Sequence, residues 1–324
     1  MRSVRLGLSG IDVSEISLGC WAIGGASWRD GNPVGWAGAD DAQSLAGLRR
    51  AYDLGITHVD TADVYGDGHS EVLIGRFLRE APRDRLVIAS KVGWFKGTAE
   101  SAMQPLHVRH QLEQTLDNLG TDYLDIYYFH NADFGADDRY LEESAELLRT
   151  FQQEGKIRAI GQSAYSFADF LRVCPTVRPS VIQFGYSALG SDFDDPSNNL
   201  FRWAESNGYG MVLFSPLAQG LLLDKFDPRQ PPQFGEGDIR GASDAFTPER
   251  LHRLKERLEP IKGRFGATTT ALARVALQYA LSRSDHACVI PGFKNPVQVE
   301  TNASAAGKPL SAEELAFVAK QLQG

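Results

Sequence analysis

The stretch that decides the fold is residues 57–92, which read THVDTADVYGDGHSEVLIGRFLREAPRDRLVIASKV. Two runs within it, Thr57–Ala62 and Leu86–Val92, are short, apolar and β-branched, which is typical of buried strands. Between them, Ser70–Leu78 has the apolar spacing of an amphipathic helix. A strand, a helix and a strand in this order predict two parallel strands joined by a crossover helix.

The same alternation repeats along the rest of the chain. We predict eight strands, at Ile16–Ala22, Thr57–Ala62, Leu86–Val92, Tyr123–His130, Ala159–Ser163, Val181–Tyr186, Met211–Ser215 and Ala287–Pro291. Amphipathic stretches predict helices at Asp41–Leu54, Ser70–Leu78, Leu106–Leu119, Leu141–Gln153, Asn198–Asn207 and Thr268–Leu281. Eight strands with intervening helices favour an α/β fold of the (β/α)8 TIM barrel type. With 324 residues and 43% hydrophobic content, we expect one domain over residues 1–324.

Three segments fall outside this repeat. In Met1–Val13, the step Leu8-Ser9-Gly10 predicts a β-hairpin that caps the barrel floor, and Ala305–Gly324 ends in the pattern of a C-terminal helical extension. The connection Leu222–Thr247 is rich in Pro, Gly and Asp. A loop of this length after a strand is more typical of a functional lid than of a mobile insertion, which stays the alternative.

Charge and hydropathy exclude several classes of partner. The net charge is −8, with acidic and basic residues interspersed, so we expect no nucleic-acid binding. The N-terminus is polar and no apolar run is long enough to span a membrane, so we expect a cytoplasmic protein. Nothing in the surface composition indicates an oligomeric state.

Three widely spaced cysteines, Cys20, Cys174 and Cys288, argue against a disulfide framework and have no metal-binding spacing. We expect all three to be reduced, and we place Cys20 and Cys288 in strands. No metal site is predicted.

Reactive side chains gather at the ends of three successive predicted strands. Asp60 lies near the end of the second strand and Tyr65 on the loop after it. Lys91 lies at the end of the third strand, and His130 ends the fourth. In a barrel enzyme these strand ends face one common mouth, where the catalytic groups lie. The four side chains are therefore expected to meet.

Each of the four has a task if proton transfer accompanies hydride transfer. A phenol is a weak acid at neutral pH, so Tyr65 needs a neighbouring ammonium such as Lys91 to lower its pKa. Asp60 would keep the buried Lys91 protonated. His130 would hydrogen-bond the substrate oxygen and orient it.

The segment Gly55–Gly66, together with Lys91 and His130, resembles the catalytic tetrad of the aldo-keto reductase superfamily, and specifically its bacterial reductase and dehydrogenase branches. The resemblance implies a cytoplasmic oxidoreductase that transfers hydride reversibly between NAD(P)(H) and an aldehyde, ketone, sugar or polyol. Asp60, Tyr65, Lys91 and His130 take the catalytic roles, with Tyr65 as the general acid in reduction and the general base in oxidation.

The same resemblance extends to the cofactor. Ser163 and Gln183 match the positions that bind the nicotinamide carboxamide, although Ala164 stands where many members have Asn. Phe214 matches the aromatic residue that stacks on nicotinamide. The implied cofactor contacts are Trp21, Asp60, Ser163, Gln183, Phe214, Ser215, Pro216, Leu217, Gln219, Gly220, Gly292, Lys294, Gln298 and Asn302.

Cofactor preference depends on the segment that follows the last strand. Lys294 is a candidate partner for a 2′-phosphate, so NADP(H) is preferred, while Thr301, which replaces a frequent Glu, and Gly292, which replaces a Lys of some branches, leave NAD(H) possible. No Gly-x-Gly-x-x-Gly follows a first strand, so a Rossmann domain is not indicated.

The substrate is expected to bind between aromatic walls at the mouth. Trp21, Trp94, His130 and Asn131 are the candidate substrate contacts, and Trp28 and Trp36 lie on neighbouring segments. Apolar walls with a few polar groups suit a small carbonyl compound.

Two other functions stay open at this point. His58, Asp60 and His130 are conceivable ligands in a metal-dependent TIM-barrel hydrolase or isomerase, although no further ligand-rich strand end completes a metal shell. A non-catalytic, cofactor-binding regulatory subunit retains the same barrel, and only turnover separates it from an enzyme.

Overall fold

The protein is described by a computed structural model that covers residues 1–195 and 199–323. Within these ranges there are twelve strands: β1 (Ser3–Arg5), β2 (Asp12–Ser14), β3 (Leu18–Gly19), β4 (Trp28–Arg29), β5 (Asn32–Pro33), β6 (His58–Asp60), β7 (Val87–Val92), β8 (Leu124–Phe129), β9 (Ile157–Ser163), β10 (Val181–Gly185), β11 (Gly210–Phe214) and β12 (Ala287–Ile290). The same ranges contain ten α-helices: α1 (Asp41–Asp53), α2 (His69–Leu78), α3 (Pro105–Leu119), α4 (Leu141–Gln153), α5 (Phe167–Val177), α6 (Leu200–Ser206), α7 (Pro248–Phe265), α8 (Thr269–Leu281), α9 (Pro296–Ala303) and α10 (Ala312–Gln323).

Eight of the described strands form one parallel sheet in the order β3-β6-β7-β8-β9-β10-β11-β12. Parallel bridges Ile16–Val289 and Gly19–Gly292 join its first and last strands and close the barrel. At Gly19 a Cβ atom would lie 2.5 Å from the carbonyl oxygen of Ile290, so only glycine permits this approach. The predicted (β/α)8 barrel is confirmed.

The interior of the barrel has its own apolar cluster, separate from the layer under the helices. Its members from the strands are Val87, Ala89, Ile126, Tyr128, Ala159, Val181, Val212, Cys288 and Ile290, and from the N-terminal segment Val4, Leu6, Ile11 and Val13. Strands β1 and β2 pair antiparallel, with Arg5 opposite Asp12. The predicted hairpin therefore exists, and it plugs the barrel floor with apolar side chains.

The larger apolar layer lies between the strands and the surrounding helices, because alternate strand residues such as Ile88 and Phe129 point outward. Helix α10 adds Val318 and Leu322 to this layer and packs against α7, which confirms the C-terminal helical extension. No helix of the described residues is both long and apolar enough to cross a membrane.

The first barrel strand is shorter than predicted. It covers only Leu18–Gly19, and the chain then turns into a 3-10 helix at Trp21–Gly24. The prediction of a strand up to Ala22 was wrong, and Cys20, buried and one residue past the strand, is not a strand residue. The turn is needed because Gly24 packs directly on the backbone of Tyr65, where a Cβ would lie within 2.7 Å.

Three helices were missed, α5, α7 and α9, although their starts carry capping signals. Ser166 accepts a hydrogen bond from the backbone of Asp169, and Asn295 accepts one from Gln298. Proline at the first or second position begins both α7 and α9. Of the predicted helix Asn198–Asn207, Leu200–Ser206 is observed, and Asn198 lies outside the described residues.

The long connection Leu222–Thr247 is not an extended loop. It contains 3-10 turns at Ile239–Ala242 and Asp244–Phe246, and it docks on the segment after β5 through a bridge between Gly35 and Asp238. The carboxylate of Asp238 also accepts from the backbone N–H of Ala37, at 3.0 Å. The connection is therefore tied to the β4–β5 side of the mouth, and its role as a lid stays a prediction.

Candidate active site

Side chains at the mouth follow from strand alternation. On β7, Val87 and Ala89 belong to the interior cluster, so Lys91, two residues further, points into the barrel at its carboxyl end. The same alternation applies to β8 and β10. Tyr128 and Val181 belong to the interior cluster, so His130 and Gln183, two residues further, also point toward the mouth. Each of these three strands thus places an apolar side chain in the interior and leads to a polar one at the mouth.

A buried ion pair forms the centre of the site. The Nζ atom of Lys91 lies 2.5 Å from Oδ1 of Asp60 and donates to the carbonyl oxygen of Thr61 at 2.7 Å. It also donates to the hydroxyl of Tyr65 at 3.5 Å. The second carboxylate oxygen of Asp60 accepts from Nε2 of Gln183 at 2.8 Å. Both charges are almost fully buried, and the hydrogen bonds offset part of the cost of removing them from water.

Tyr65 is placed by two close backbone approaches. A Cβ on Gly66, which has a φ of +63°, would lie 2.0 Å from the carbonyl oxygen of Gly24, so the loop after β6 requires glycine there. The phenol ring stacks on Trp21 with a centroid distance of 6.0 Å, and the indole N–H of Trp21 donates to the carbonyl of Val34 at 3.0 Å.

Burial, with the negative charge of Asp60 second, raises the pKa of the Tyr65 phenol well above its usual value. The expectation that Lys91 brings this pKa toward neutrality is not met in the described site, because desolvation of the phenolate outweighs the ammonium 3.5 Å away. The phenol is therefore held in its protonated form.

His130 lies beside the phenol, with ring centroids 5.7 Å apart and the planes nearly perpendicular. Its backbone N–H donates to the carbonyl of Val92, which fixes the loop after β8. Burial, and then the positive charges of Lys91 and Arg29, hold the pKa of the imidazole well below its usual value, so the ring is neutral. A neutral imidazole provides one donor and one acceptor.

Asn131 has both ends of its amide engaged by backbone. Its Nδ2 donates to the carbonyl of Gly93 at 2.6 Å, and its Oδ1 accepts from the N–H of Asp133 at 2.9 Å. The backbone carbonyl of Asn131 in turn accepts from Gln162, a buried residue that the sequence analysis missed. Asn131 thus braces the loops after β7 and β8, and substrate contact by its side chain stays a prediction.

The proposed nicotinamide contacts come together on three neighbouring strands. Ser163 and Gln183 are opposite each other in the pairing of β9 with β10, and Gly185 is opposite Phe214 in the pairing of β10 with β11. A Cβ at Gly185 would lie 2.9 Å from the ring of Phe214, so the missing side chain leaves room for the aromatic ring. The ring of Tyr165, which the sequence analysis also missed, lies 6.0 Å away.

The loop after β11 runs through strained backbone. Ser215, Ala218 and Gln219 have φ values of +55°, +47° and +56°, and Pro216 and Leu217 lie between them. Left-handed conformations in non-glycine residues are costly and concentrate at ligand sites. Gly220 has a φ of +91°, and the side chain of Lys225 covers it so closely that a Cβ would lie 2.6 Å from Cε.

The segment after β12 forms a compact turn into α9. The backbone N–H of Lys294 donates to Oε1 of Gln298 at 2.8 Å, and Nδ2 of Asn302 donates to the carbonyl of Gly292 at 3.3 Å. The ammonium of Lys294 donates to the carbonyl of Ala37. The first two contacts join four of the predicted cofactor contacts in pairs, and the third ties Lys294 to the segment after β5.

Comparison with known proteins settles the family. The sequence model of the Aldo/keto reductase family matches residues 15–322. The chain belongs to this family. It is 31% identical to the NADH-specific methylglyoxal reductase of Escherichia coli (strain K12), over 96% of this chain and 95% of that protein. It is 32% identical to the L-glyceraldehyde 3-phosphate reductase of the same strain, over 96% and 90%.

Among solved structures, the glycerol dehydrogenase of Gluconobacter oxydans superposes with a TM-score of 0.80 at 26% identity, covering 99% of this chain and 94% of that one. Family membership makes this chain an aldo-keto reductase, an oxidoreductase that acts on a small molecule.

This aldo-keto reductase also has a cluster of cations that the sequence analysis did not identify as a whole. Lys225 and Arg240, both on the long connection, lie within electrostatic reach of Lys294. Burial first, and then the charge of Arg240, lower the pKa of both lysines. Three converging cations with Asp238 as their one close carboxylate among the described residues are suited to an anion.

Arg240 is held as a rigid donor. Its guanidinium lies 4.0 Å from the ring of Trp36 and 4.3 Å from that of Phe234, and it pairs with Asp238 at 2.7 Å. Lys225 and Arg240 lie in the connection that was expected to be a functional lid, but nothing in the sequence indicated that they meet Lys294.

An aromatic rim surrounds the predicted catalytic residues. The ring of Trp94, 40% exposed, lies 6.3 Å from His130 and 6.3 Å from Tyr165. Trp28 and Tyr165 are also exposed, and Trp36 packs edge-on against Trp21 at 5.7 Å. The predicted contacts Trp21 and Trp94 therefore lie on opposite sides of His130 and Tyr65.

The residues considered as metal ligands do not converge. His58 points below Asp60 into the barrel, where its Nδ1 lies 3.8 Å from Sγ of Cys288. Both oxygens of Asp60 are engaged by Lys91 and Gln183. In residues 1–195 and 199–323, no group of three or more His, Cys, Asp or Glu side chains is arranged to hold a metal ion. Family membership favours the reductase over the metal hydrolase.

Proposed function

We propose that this aldo-keto reductase catalyses reversible hydride transfer between NAD(P)(H) and an aldehyde, ketone or sugar or polyol alcohol, with Tyr65 as the general acid and base. One observation carries the proposal. The phenol of Tyr65 is buried, protonated and 3.5 Å from the ammonium of Lys91, and it faces the neutral imidazole of His130. A donor, a cation and an orienting group thus surround one point at the mouth.

The residues of the chain handle the proton and the oxygen. His130 donates a hydrogen bond to the carbonyl oxygen and fixes its direction, while Tyr65 gives that oxygen its proton as the charge develops. Lys91 stabilises the resulting phenolate, and Asp60 pairs with Lys91 and holds it in place. The nicotinamide, when bound, supplies the hydride. In alcohol oxidation, the phenolate of Tyr65 takes the proton back.

The described residues fit a nicotinamide dinucleotide at three places. Phe214 presents an aromatic face beside the side chains of Ser163 and Gln183. The loop 215–220 follows β11 directly and has four residues with positive φ, and backbone amides in such a loop suit a pyrophosphate. The cations of Lys225, Arg240 and Lys294 add positive charge on the same side.

We propose that NADP(H) is preferred, because three cations exceed what a pyrophosphate alone requires. The preference is not inherited from the relatives, since proteins named as NADH-specific and as NADP(+)-dependent both match the chain. Lys294→Met is expected to weaken NADPH binding more than NADH binding, with the exposed Lys96 as the matched Lys→Met control. Equal losses of affinity for both nucleotides would show that the substituted lysine does not recognise the 2′-phosphate.

The decisive experiment titrates NADPH and NADH in parallel, following the quenching of protein fluorescence, and assays wild type and Tyr65→Phe on a panel of aldehydes, sugars and polyols. We expect tight binding of at least one nucleotide by both proteins and turnover by wild type only. Turnover that survives in Tyr65→Phe would overturn the role of the phenol. Binding of neither nucleotide would overturn the function.

A further inference from the structure

Gln183 has a contact that cofactor binding does not require. Its side chain is buried at the end of β10, and its Nε2 lies 2.8 Å from Oδ2 of Asp60. Oδ1 of the same carboxylate lies 2.5 Å from Nζ of Lys91. One amide therefore holds the carboxylate that holds the catalytic ammonium.

The chemistry of the two groups fixes the orientation of this amide. An ionised carboxylate only accepts hydrogen bonds, so the NH2 end of Gln183 faces Asp60 and its Oε1 faces away. Ser163, opposite Gln183 in the strand pairing, has a hydroxyl that is able to donate. A primary carboxamide with one NH2 and one oxygen satisfies both: its NH2 donates to Oε1 of Gln183 and its oxygen accepts from Ser163.

We propose that Gln183 is a positioning residue that links the carboxamide of the bound nicotinamide to the Asp60–Lys91 pair. This inference rests on the proposed function. Through the amide, cofactor binding orients Asp60, Asp60 orients Lys91, and Lys91 faces the hydroxyl of Tyr65. Ser163 touches the carboxamide without touching Asp60, so it contributes to binding but not to this chain of contacts.

Burial makes the hydrogen bond from Nε2 of Gln183 difficult to replace. Asp60 and Lys91 are 1% and 0% exposed, so no water replaces Nε2 if it is lost. Without Nε2, one oxygen of this buried carboxylate has no donor, and the carboxylate is no longer held in a single orientation. Lys91 is then less precisely placed beside Tyr65, which reduces the stabilisation of a phenolate there.

The pH dependence of the site involves several other groups near the phenol and the ion pair. The titratable or charged groups that face Tyr65, Asp60 or Lys91 are Cys20, His58, Asp63, Glu71, Tyr128, His130, Tyr165 and Cys288. Of these groups, only Tyr128 interacts directly with the side chain of Gln183, and burial raises the pKa of its phenol well above the usual value. Tyr128 therefore stays protonated in both variants, and a difference between them reports the amide.

The first test is a binding cycle that does not depend on turnover. Dissociation constants are measured by fluorescence quenching for NADPH and for its 3-acetylpyridine analogue, in which a methyl group replaces the carboxamide NH2. Wild type is expected to bind NADPH about fivefold more tightly than the analogue, the usual contribution of one hydrogen bond. Gln183→Met is expected to bind the two alike. Full discrimination in this variant would show that Gln183 does not receive the NH2.

The second test separates positioning from binding. In alcohol oxidation at saturating cofactor, Gln183→Met is expected to lower kcat and to move the acid limb of the pH profile upward by about one unit, because Tyr65 loses phenolate stabilisation. Ser163→Ala is expected to raise the cofactor dissociation constant without moving that limb. An unmoved limb in Gln183→Met, or an equal shift in both variants, would overturn the positioning role.

Gln183→Glu keeps the inference testable if the Met variant does not fold. At low pH a protonated carboxyl group at this position is able to donate to Asp60, and at high pH two carboxylates repel each other. We expect the binding and circular dichroism of this variant to approach wild type only on the acid side, and pH-independent behaviour would contradict the inference. If wild type binds no nucleotide, the proposed function fails instead.

Discussion

The floor and the mouth of the barrel are formed by inward-pointing side chains of the same strands, yet the floor is apolar and the mouth is polar and charged. On β7, Val87 and Ala89 pack against the N-terminal hairpin, while Lys91 ends in an ion pair. At the floor, Leu6 is fully buried among aliphatic groups. At the mouth, the buried Asp60 and Lys91 are held by directed hydrogen bonds.

This contrast shows that one strand contributes to folding stability at its start and to the candidate active site at its end. Apolar packing at the floor stabilises the fold through the removal of surface from water, which is non-directional and tolerant of pH. The polar mouth holds the Asp60–Lys91 ion pair, whose desolvation opposes folding. This pair places an ammonium group beside the hydroxyl of Tyr65. Substitutions at the floor are therefore expected to change stability alone, whereas substitutions in the ion pair at the mouth are expected to change activity as well.

The largest effect is expected at the mouth, from Lys91→Met. The variant loses the cation beside Tyr65 and leaves Asp60 as a buried carboxylate, so turnover is expected to fall by about 10²–10⁴-fold and the free energy of unfolding by roughly 3–5 kcal/mol. Steady-state kinetics and urea unfolding measure the two. The double variant Lys91→Met/Asp60→Asn is expected to regain stability but not turnover.

The matched control for this substitution is Lys96→Met, since Lys96 is an exposed lysine on the loop after β7. It is expected to change neither quantity. If Lys91→Met kept most of its turnover, the mouth would not differ in chemistry from the rest of the surface, and the comparison between the two ends would fail.

The next effect is at the floor, where Leu6→Ala removes a fully buried side chain of the plug. The free energy of unfolding is expected to fall by about 2–5 kcal/mol through lost burial and a residual cavity. At a temperature where the variant is folded, kcat and cofactor affinity are expected to match wild type. Leu8→Ala, in the same hairpin at 82% exposure, is the control and is expected to be neutral. A loss of kcat in folded Leu6→Ala would show that the two ends are coupled.

The smallest effect is expected from His58, which lies between the two ends. Burial, the largest cause, lowers the pKa of this imidazole to about 4, whereas it is about 6.5 in an unfolded chain. Between these values the unfolded state binds more protons than the native state, so stability is present above about pH 6.5 and is lost as the pH falls toward 4, by up to roughly 3 kcal/mol.

We expect His58→Gln to flatten this part of the stability profile, measured by urea unfolding from pH 7 to pH 4.5. His110→Gln, at an exposed position on α3, is the control and is expected to keep the wild-type slope. Equal slopes in wild type and His58→Gln would show that the region between floor and mouth admits a charged imidazole.

Much of the barrel was predictable because strand and helix periods are local properties of the chain. The eight parallel strands, the hairpin cap and the C-terminal helix follow from apolar spacing, and all are observed. The errors occur where local pattern competes with close packing. The first strand ends early because Gly24 must meet the backbone at Tyr65, a contact over 40 residues away in the chain.

The candidate site divides in the same way. Asp60, Lys91 and His130 were identified from their positions at strand ends, since alternation and chain order determine which side chains reach the mouth. The hydrogen bond from Gln183 to Asp60 and the grouping of Lys225 and Arg240 with Lys294 were not predictable.

The sequence by itself determined the fold class, the family and the order of polar residues around the mouth, because each depends on spacing along the chain. Tertiary structure alone decided the protonation of Tyr65 and His130, the engaged amide of Asn131 and the docking of the long connection on Gly35. Burial and hydrogen-bond geometry set these properties, and both depend on groups that the chain brings together from distant positions.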